Sequence, residues 1–373
     1  MINELSLFNG MSFGAMALES LGIEVGKRYS SEIDKYANQA TQALFPNTIQ
    51  LGDILNWREW DIDWASIDLV TGGFPCQAWS MAGKQLGDKD ERGMLFWTML
   101  DIIKHAKHYN PDVQFLIENV KMKKEFEQYI TTHTENALGK VYKVLINSAL
   151  VSAQNRNRYY WTSFEVEQPE DKGIVLKDII ESNLTDEFNS DNWHKWFFKN
   201  IDKQILKSYS CINNFNDKAI TMTARQFASW NENFLIIKQK GIKDIQIDLA
   251  TQPPYSFYET RTELGKQLRR ELSRAKGKDT SARCTKSKMY KSHNHKKANC
   301  LTAARSFFET ILDTDYRVRK LTPRECFRLQ TVPEHHIDTL LNSGISNTQL
   351  YKMCGNGWTM EVIAHIFKSI IFK

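Results

Sequence analysis

Residues 68–80 read DLVTGGFPCQAWS. The apolar start, Asp68-Leu69-Val70, predicts a buried strand, and Gly72 and Gly73 end it. Pro75-Cys76 then sets a thiol on the loop beyond the strand's carboxyl end. In an open α/β sheet, ligands and chemistry collect outside the carboxyl ends of the strands. A free cysteine is most often a small buried hydrophobe, so Cys76 by itself settles nothing. The segments on either side decide whether its loop borders a site.

Upstream, Leu5-Ser6-Leu7-Phe8-Asn9-Gly10 reads as a strand running into a turn, and Met11-Ser12-Phe13-Gly14-Ala15 opens a helix carrying Met16, Leu18 and Leu21. Strand, glycine turn and helix amino terminus make the first unit of a nucleotide-type site. Gly10 lets the backbone approach a ligand, and the helix offers free N–H groups to a carboxylate. The next strand, Val25 to Ser31, ends at Glu32. An acid 22 residues after Gly10 is near the spacing at which dinucleotide folds place a ribose-binding carboxylate. Gly52-Asp53-Ile54 ends a third short strand.

Downstream, Val-Gln-Phe-Leu-Ile-Glu-Asn-Val (113–120) is a strand ending in an acid, which is costly to bury without a partner. Gln-Asn-Arg-Asn-Arg-Tyr-Tyr-Trp (154–161) follows Ala149-Leu150-Val151, and alternation puts Gln154, Arg156 and Arg158 on one face of an extended chain. Thr322-Pro323-Arg324-Glu325 carries the marks of a capped helix start. Gly355-Asn356-Gly357-Trp358-Thr359-Met360 precedes an apolar helix.

Taken together and in this order, Gly-Phe-Pro-Cys-Gln, Glu-Asn-Val, Gln-x-Arg-x-Arg and the flanking segments resemble the DNA (cytosine-5)-methyltransferases. The likeness is to the phage and bacterial type, with some to the animal de novo enzymes. It is strong over 1–165 and 317–373 and weak between. It implies an α/β fold: a Rossmann-like S-adenosylmethionine-dependent methyltransferase domain with a smaller target recognition domain. The implied boundaries are 1–165 for the catalytic and cofactor-binding domain, 166–345 for target recognition, and 346–373 for a helix returning to the catalytic domain.

The same resemblance implies the site. Cys76 attacks C6 of a flipped cytosine, and Glu118 contacts N3 and the exocyclic amine. Arg158 reaches O2 and the nucleophile, and Arg156 orients the loop. Burial disfavours a bare carboxylate, so Glu118 can carry a proton to N3. Positive charge beside Cys76 favours its thiolate. For S-adenosyl-L-methionine, Glu32 takes the ribose, Ile33 and Ile54 pack on the adenine, Phe8 covers the cofactor, and Asp53 accepts from the adenine amine. Gly10, Ser12, Gly14, Pro75 and Asn356 complete the cofactor set, while Gln77, Ser80, Gln154, Arg225 and Arg305 face DNA. The family's usual Asp-Leu-Phe-x-Gly-x-Gly-Gly is altered here: Ser6 replaces the Asp, and Ser12-Phe13 stands where a Gly is common. The usual Gly-Asn-Ser is Gly-Asn-Gly, which loses a hydroxyl at 357.

Composition agrees with that class. The chain has 373 residues, 42% hydrophobic and 25% charged, the balance of a globular protein with a substantial core. Between Arg261 and Arg305 there are 14 Lys/Arg against three acids, a block suited to phosphates. Such contacts position a protein on DNA without reading sequence. No apolar run reaches membrane-span length, and no signal peptide is read at the amino terminus. Six scattered cysteines fit a reducing compartment. Cys284, His293, His295 and Cys300 offer metal-ligand types, but the gap after Cys284 departs from finger spacing, so no metal is assigned.

Within the middle region, Lys218–Arg225 (KAITMTAR) and Lys297–Arg305 (KANCLTAAR) echo each other, either as the family's Thr-rich turns or as two similar strand ends. The expected partners are double-stranded DNA and S-adenosylmethionine, with a cognate restriction endonuclease as a further candidate. The expected form is a cytoplasmic, phage or prokaryotic monomer used at the nucleoid. A tRNA cytosine-5 methyltransferase and an inactive DNA-binding homologue stay open as alternatives.

Overall fold

Seven strands form one sheet in the order β3-β2-β1-β4-β5-β7-β6 in a computed structural model of the chain. The model describes residues 1–75, 91–181, 210–212, 218–224, 233–238, 256–257, 260–261, 290–291, 294–295 and 316–370. The strands are β1 (Ile2–Leu7), β2 (Val25–Ser31), β3 (Ile49–Gln50), β4 (Leu69–Gly72), β5 (Gln114–Val120), β6 (Tyr142–Asn147) and β7 (Asn157–Thr162). Strands β1 to β5 are parallel, while β7 runs antiparallel to β5 and to β6. The order reverses between β1 and β4, where an open α/β sheet forms its crevice.

Five neighbouring parallel strands need crossovers that cover both faces, and the burial follows. Leu5, Leu7, Val70, Phe115 and Ile117 lie in one buried cluster with Phe96, Met99 and Ile103 of α3 (Glu91–Tyr109) and Ile130 of α4 (Lys124–Leu138). The alternate residues Glu4, Ser6 and Thr71 face the other way, with the Thr71 hydroxyl donating to Ser6 Oγ at 3.3 Å. That face carries α1 (Phe13–Ser20), whose Gly14 sits directly over Glu4: a Cβ there would lie 3.1 Å from Glu4 Oε1. Residue 118 follows the same alternation and points to this second face, with the cofactor-side turn rather than with the core.

Caps set the helix ends. Asp34 accepts from the N–H groups of Tyr36 and Ala37 at the start of α2 (Lys35–Leu44). Thr322 and Glu325 close the predicted capping box of α5 (Pro323–Leu329): Thr322 Oγ1 accepts from Glu325 N at 3.1 Å, and Glu325 Oε2 accepts from Thr322 N at 2.9 Å. Helices α6 (Glu334–Leu341), α7 (Asn347–Asn356) and α8 (Met360–Phe367) follow. The carboxyl-terminal apolar helix α8 packs on α1.

The chain divides into two units. The first comprises 1–188, 209–235 and 320–373; the second comprises 189–208 and 236–319. Within the second, β8 (Ser256–Phe257) pairs antiparallel with β11 (Asn294–His295), and β9 (Thr260–Arg261) pairs antiparallel with β10 (Tyr290–Lys291).

Candidate active site

Glu118 stands near the carboxyl end of β5 and is 8% exposed. A carboxylate so buried requires donors, and among the described residues it has two. Its Oε1 lies 3.1 Å from Arg158 Nε, and its Oε2 accepts from Trp358 Nε1 at 3.0 Å. Arg158 is delivered by the antiparallel partner strand, where Val120 pairs with Arg158 and Glu118 with Tyr160. Burial, and after it the Glu118 charge, push the Tyr160 phenol far above its ordinary range, so it stays neutral here.

The neighbouring Asn119 ties this acid to the loop after β4. It is 1% exposed, and its Nδ2 donates to the Phe74 carbonyl at 3.1 Å. The backbone leading into Pro75 is therefore hydrogen-bonded to the residue after Glu118. Gly73 leaves the room: a Cβ there would lie 2.9 Å from Glu118 Oε2 and 3.0 Å from Trp358 Nε1. Pro75 is half-buried; Cys76, Gln77 and Ser80 lie outside the described residues.

Alternation predicts Gln154, Arg156 and Arg158 on one face of an extended chain, and of the three only Arg158 lies in a strand. Strand β7 begins only at Asn157, and Gln154 sits in an isolated parallel bridge with Ala219. Gln154 is fully buried: its amide donates to the Leu329 carbonyl at 3.4 Å and accepts from Met222 N at 3.0 Å. Arg156 is 3% exposed and donates to three carbonyls, Met222 at 3.1 Å, Gly355 at 3.2 Å and Gly357 at 2.8 Å. Burial, with Arg158 next in effect, pushes Arg156 down to about 9, which leaves it charged at neutral pH. Only Arg158 reaches the acid. The Thr-rich segment 218–224 docks on this stretch: Asn155 N donates to Ala219 O and Ala219 N to Ala153 O, both at 2.8 Å. Lys218 Nζ donates to the carbonyls of Ala149, Ser152 and Ile174.

On the cofactor side, the turn after β1 is left-handed at Phe8 (φ 54°), Gly10 (φ 57°) and Ser12 (φ 69°). Ser12 holds a conformation that glycine adopts freely. Its hydroxyl is fixed by Asn9 Nδ2 and Thr41 Oγ1, each at 2.8 Å, so a polar network does what a glycine would do. Glu32 is half-buried; Oε2 accepts from Gly10 N at 2.9 Å, and Oε1 accepts from the N–H groups of Ile33 and Asp34 at 2.8 Å. Ile33 is 76% exposed, an apolar side chain left bare beside that acid. Asp53 does not end a strand: β3 stops at Gln50, and Asp53 is exposed and caps a 3-10 turn by accepting from Leu55 N. Ile54 is buried in the core beneath. Phe8 packs on the same core, and Asn356 is exposed at the last position of α7. Among the described residues no atom stands within 4 Å of a Cβ built on Gly10, so the turn offers open space beside Gly10.

Two participants escaped the sequence reading. Asn119 was legible only as part of Glu-Asn-Val, and Trp358 only as an aromatic directly after a Gly-Asn-Gly turn. Arg225, Arg305, Cys284, His293 and Cys300 lie outside the described residues, and for His295 only the backbone is described.

Comparison with known proteins agrees with this geometry. The sequence profile of a family described as C-5 cytosine-specific DNA methylase matches residues 2–372. The chain is 26% identical to the orphan methyltransferase M.SPRI of Bacillus phage SPR, covering 98% of this chain and 97% of that one. It is 32% identical to the type II methyltransferase M.HgiCI of Herpetosiphon aurantiacus over 51% of each. Among solved structures, the Entamoeba histolytica methyltransferase EhMeth superposes with a TM-score of 0.63 at 13% identity, covering 99% of this chain and 97% of that one. A Spodoptera frugiperda DNMT2 mutant superposes with a TM-score of 0.58 at 16% identity over 99% of each. These last two show the shared fold, that of the S-adenosylmethionine-dependent methyltransferases.

Proposed function

The chain belongs to the C-5 cytosine-specific DNA methylase family, and from that premise we propose that it methylates C5 of a cytosine flipped out of duplex DNA, with Cys76 as nucleophile. One observation carries the reading: Glu118 and Arg158 form a buried ion pair beside a loop backbone that Asn119 holds and that leads directly into Cys76.

A base stacked in a duplex is out of reach, so it enters the site extruded. The Cys76 thiolate adds to C6. Glu118 gives a hydrogen bond or proton to N3 and accepts from the exocyclic amine, so the charge that develops on the ring is neutralised as the carbon–sulfur bond forms. Arg158 reaches O2 from the other side of the same carboxylate. Arg156 touches no base; its three carbonyl contacts fix the backbone that presents Arg158. Loss of the C5 proton and departure of Cys76 then release the product.

The turn after β1 fits S-adenosyl-L-methionine: Glu32 suits the ribose hydroxyls, exposed Ile33 suits the adenine face, and the open space at Gly10 suits close backbone approach. Phe8, Ser12, Gly14, Asp53, Ile54, Pro75 and Asn356 border or support that turn. Bound there, the cofactor supplies the methyl group. Gln77, Ser80, Arg225, Arg305 and the basic 261–305 block are read as the DNA-facing set. The 166–345 interval is read as holding target recognition, with 1–165 and 346–373 as the catalytic part. Relatives that match over nearly their whole length include orphan methyltransferases and a putative type II methyltransferase, so a cognate restriction endonuclease is kept as a further candidate partner. No helix of the described residues is long and apolar enough to cross a membrane.

Duplex DNA containing 5-fluorocytosine tests the mechanism, because fluorine blocks the final proton loss. A covalent complex is expected with the wild-type chain and not with Cys76→Ser; absence of a complex with wild type overturns the account. Bisulfite sequencing of DNA from a host expressing the chain reads activity and target together. Competition between labelled tRNA and duplex separates the tRNA alternative.

A further inference from the structure

Trp358 touches three elements of the site at once. Its indole N–H donates to Glu118 Oε2 at 3.0 Å. The same nitrogen would lie 3.0 Å from a Cβ on Gly73, and its Cζ3 lies 3.8 Å from a Cβ position on Gly14. The ring therefore borders the start of α1, the loop after β4 and the end of β5. It is half-buried. Its seat is made by its neighbour: a Cβ on Gly357 would be 2.0 Å from Phe13 Cε2, so the chain enters this position only with a bare backbone at 357.

An indole has one donor and no acceptor. On Glu118 it takes one carboxylate oxygen while Arg158 faces the other, so each oxygen has a donor before any base arrives. The exocyclic amine of cytosine is also a donor without acceptor capacity toward a carboxylate. The oxygen that accepts from the indole can accept from that amine without any change in its own role.

From this arrangement we infer that Trp358 is a positioning residue for the base-contacting acid: its N–H holds the Glu118 carboxylate in orientation in the free enzyme and yields Oε2 to the amine of the incoming cytosine. This rests on the reading of Glu118 given under Proposed function. It also accounts for a tryptophan at a place that does not itself touch the reacting atoms.

The test uses the full chain labelled with 15N in its tryptophan indoles. The resonance missing from Trp358→Phe identifies Trp358. It is expected to move in Glu118→Gln and to move again when an unmethylated duplex binds wild type. A Trp358 resonance unmoved by Glu118→Gln overturns the proposal, and this readout needs no variant at 358 to be active. In single-turnover methylation, Trp358→Phe is expected to lose roughly tenfold in rate, the scale of one hydrogen bond to a charged group, with duplex affinity within about twofold. Introduced into Glu118→Gln, it is expected to cost nothing further. An equal loss in both backgrounds overturns the proposal. A Glu118→Gln enzyme as fast as wild type instead sinks the reading of Glu118, and the two failures are distinct.

Discussion

Phe13 occupies the space of a side chain at residue 357. A Cβ on Gly357 would meet Phe13 Cε2 at 2.0 Å, Cζ at 2.5 Å and Cδ2 at 2.9 Å. Both residues depart from the pattern the chain otherwise resembles: a large ring where glycine is common, and a glycine where serine is usual. The two departures compensate each other across α1 and the α7–α8 connection. Gly357→Ser should therefore destabilise the chain by about 1–3 kcal/mol, the usual cost of overpacking. Phe13→Gly should leave a cavity, and the double variant Phe13→Gly/Gly357→Ser should be more stable than the sum of the two single losses. A urea-denaturation cycle measures that coupling; strict additivity would show that the ring and residue 357 do not compete for one space.

Arg156 makes a second prediction, about stability and not about contact with a base. Its guanidinium spans the carbonyls of Met222, Gly355 and Gly357, and it is almost wholly enclosed. Arg156→Ala leaves buried acceptors unpaired, at about 1–3 kcal/mol each where water cannot reach them. Arg156→Lys keeps the charge, but one ammonium cannot reproduce a planar fork that reaches three acceptors. Both variants should unfold at lower denaturant than wild type, with lysine recovering less than half of the alanine loss. Full recovery by lysine would mean that charge alone matters here. Gly355→Ala should act on the same knot, since its Cβ would fall 2.1 Å from the Thr223 carbonyl oxygen.

These contacts show which parts of the fold were legible. Strand β2 spans Val25–Ser31 with Glu32 next, at the bounds expected from the sequence, and the Thr322–Glu325 box forms as its spacing dictates. Both are local: a side chain meets backbone a few residues away. Gln154 is not placed by alternation, because alternation holds only inside a strand and the strand starts three residues later. What holds Gln154 is the backbone of Met222, 68 residues on. Trp358 on Glu118 spans 240 residues. No periodicity encodes a partner at that distance, so the acid was legible and its donor was not. Asp53 differs only in its local setting: a 3-10 turn and a strand end both place an acid after glycine, and here the side chain caps the turn.

Glu32 is already organised in the free chain. Both of its oxygens accept backbone N–H groups, at Gly10, Ile33 and Asp34. Glu32→Gln keeps the shape and removes the charge, replacing one acceptor oxygen by an amide NH2 that cannot accept from those donors. S-adenosylmethionine affinity measured by calorimetry should fall roughly tenfold, as for one lost charge-assisted hydrogen bond. Binding to duplex DNA without cofactor should stay unchanged. An unaltered cofactor affinity would remove Glu32 from the ribose role.

His336 sets a pH dependence away from the site. It is buried between α6 and α1, with Nε2 2.5 Å from Glu19 Oε2 and its ring packed on Phe45 and His335. Burial holds its imidazole below the ordinary histidine range; the Glu19 carboxylate opposes that and His335 adds to it. The unfolded chain then takes up a proton at a pH where the folded chain does not. Stability from this group is full above about 6.5 and declines as pH falls through the lowered folded value. His105, held down by burial and by His108, contributes with the same sign. His336→Gln keeps a donor to Glu19 without titrating. Its denaturation midpoint should fall less steeply between pH 7 and 5 than that of wild type, by roughly the share of one proton. His335→Gln removes one of the contributions that lower His336 and should flatten the slope in the same direction, by less than His336→Gln does. Equal slopes for wild type and His336→Gln would show that the buried imidazole is not what couples this helix pair to pH.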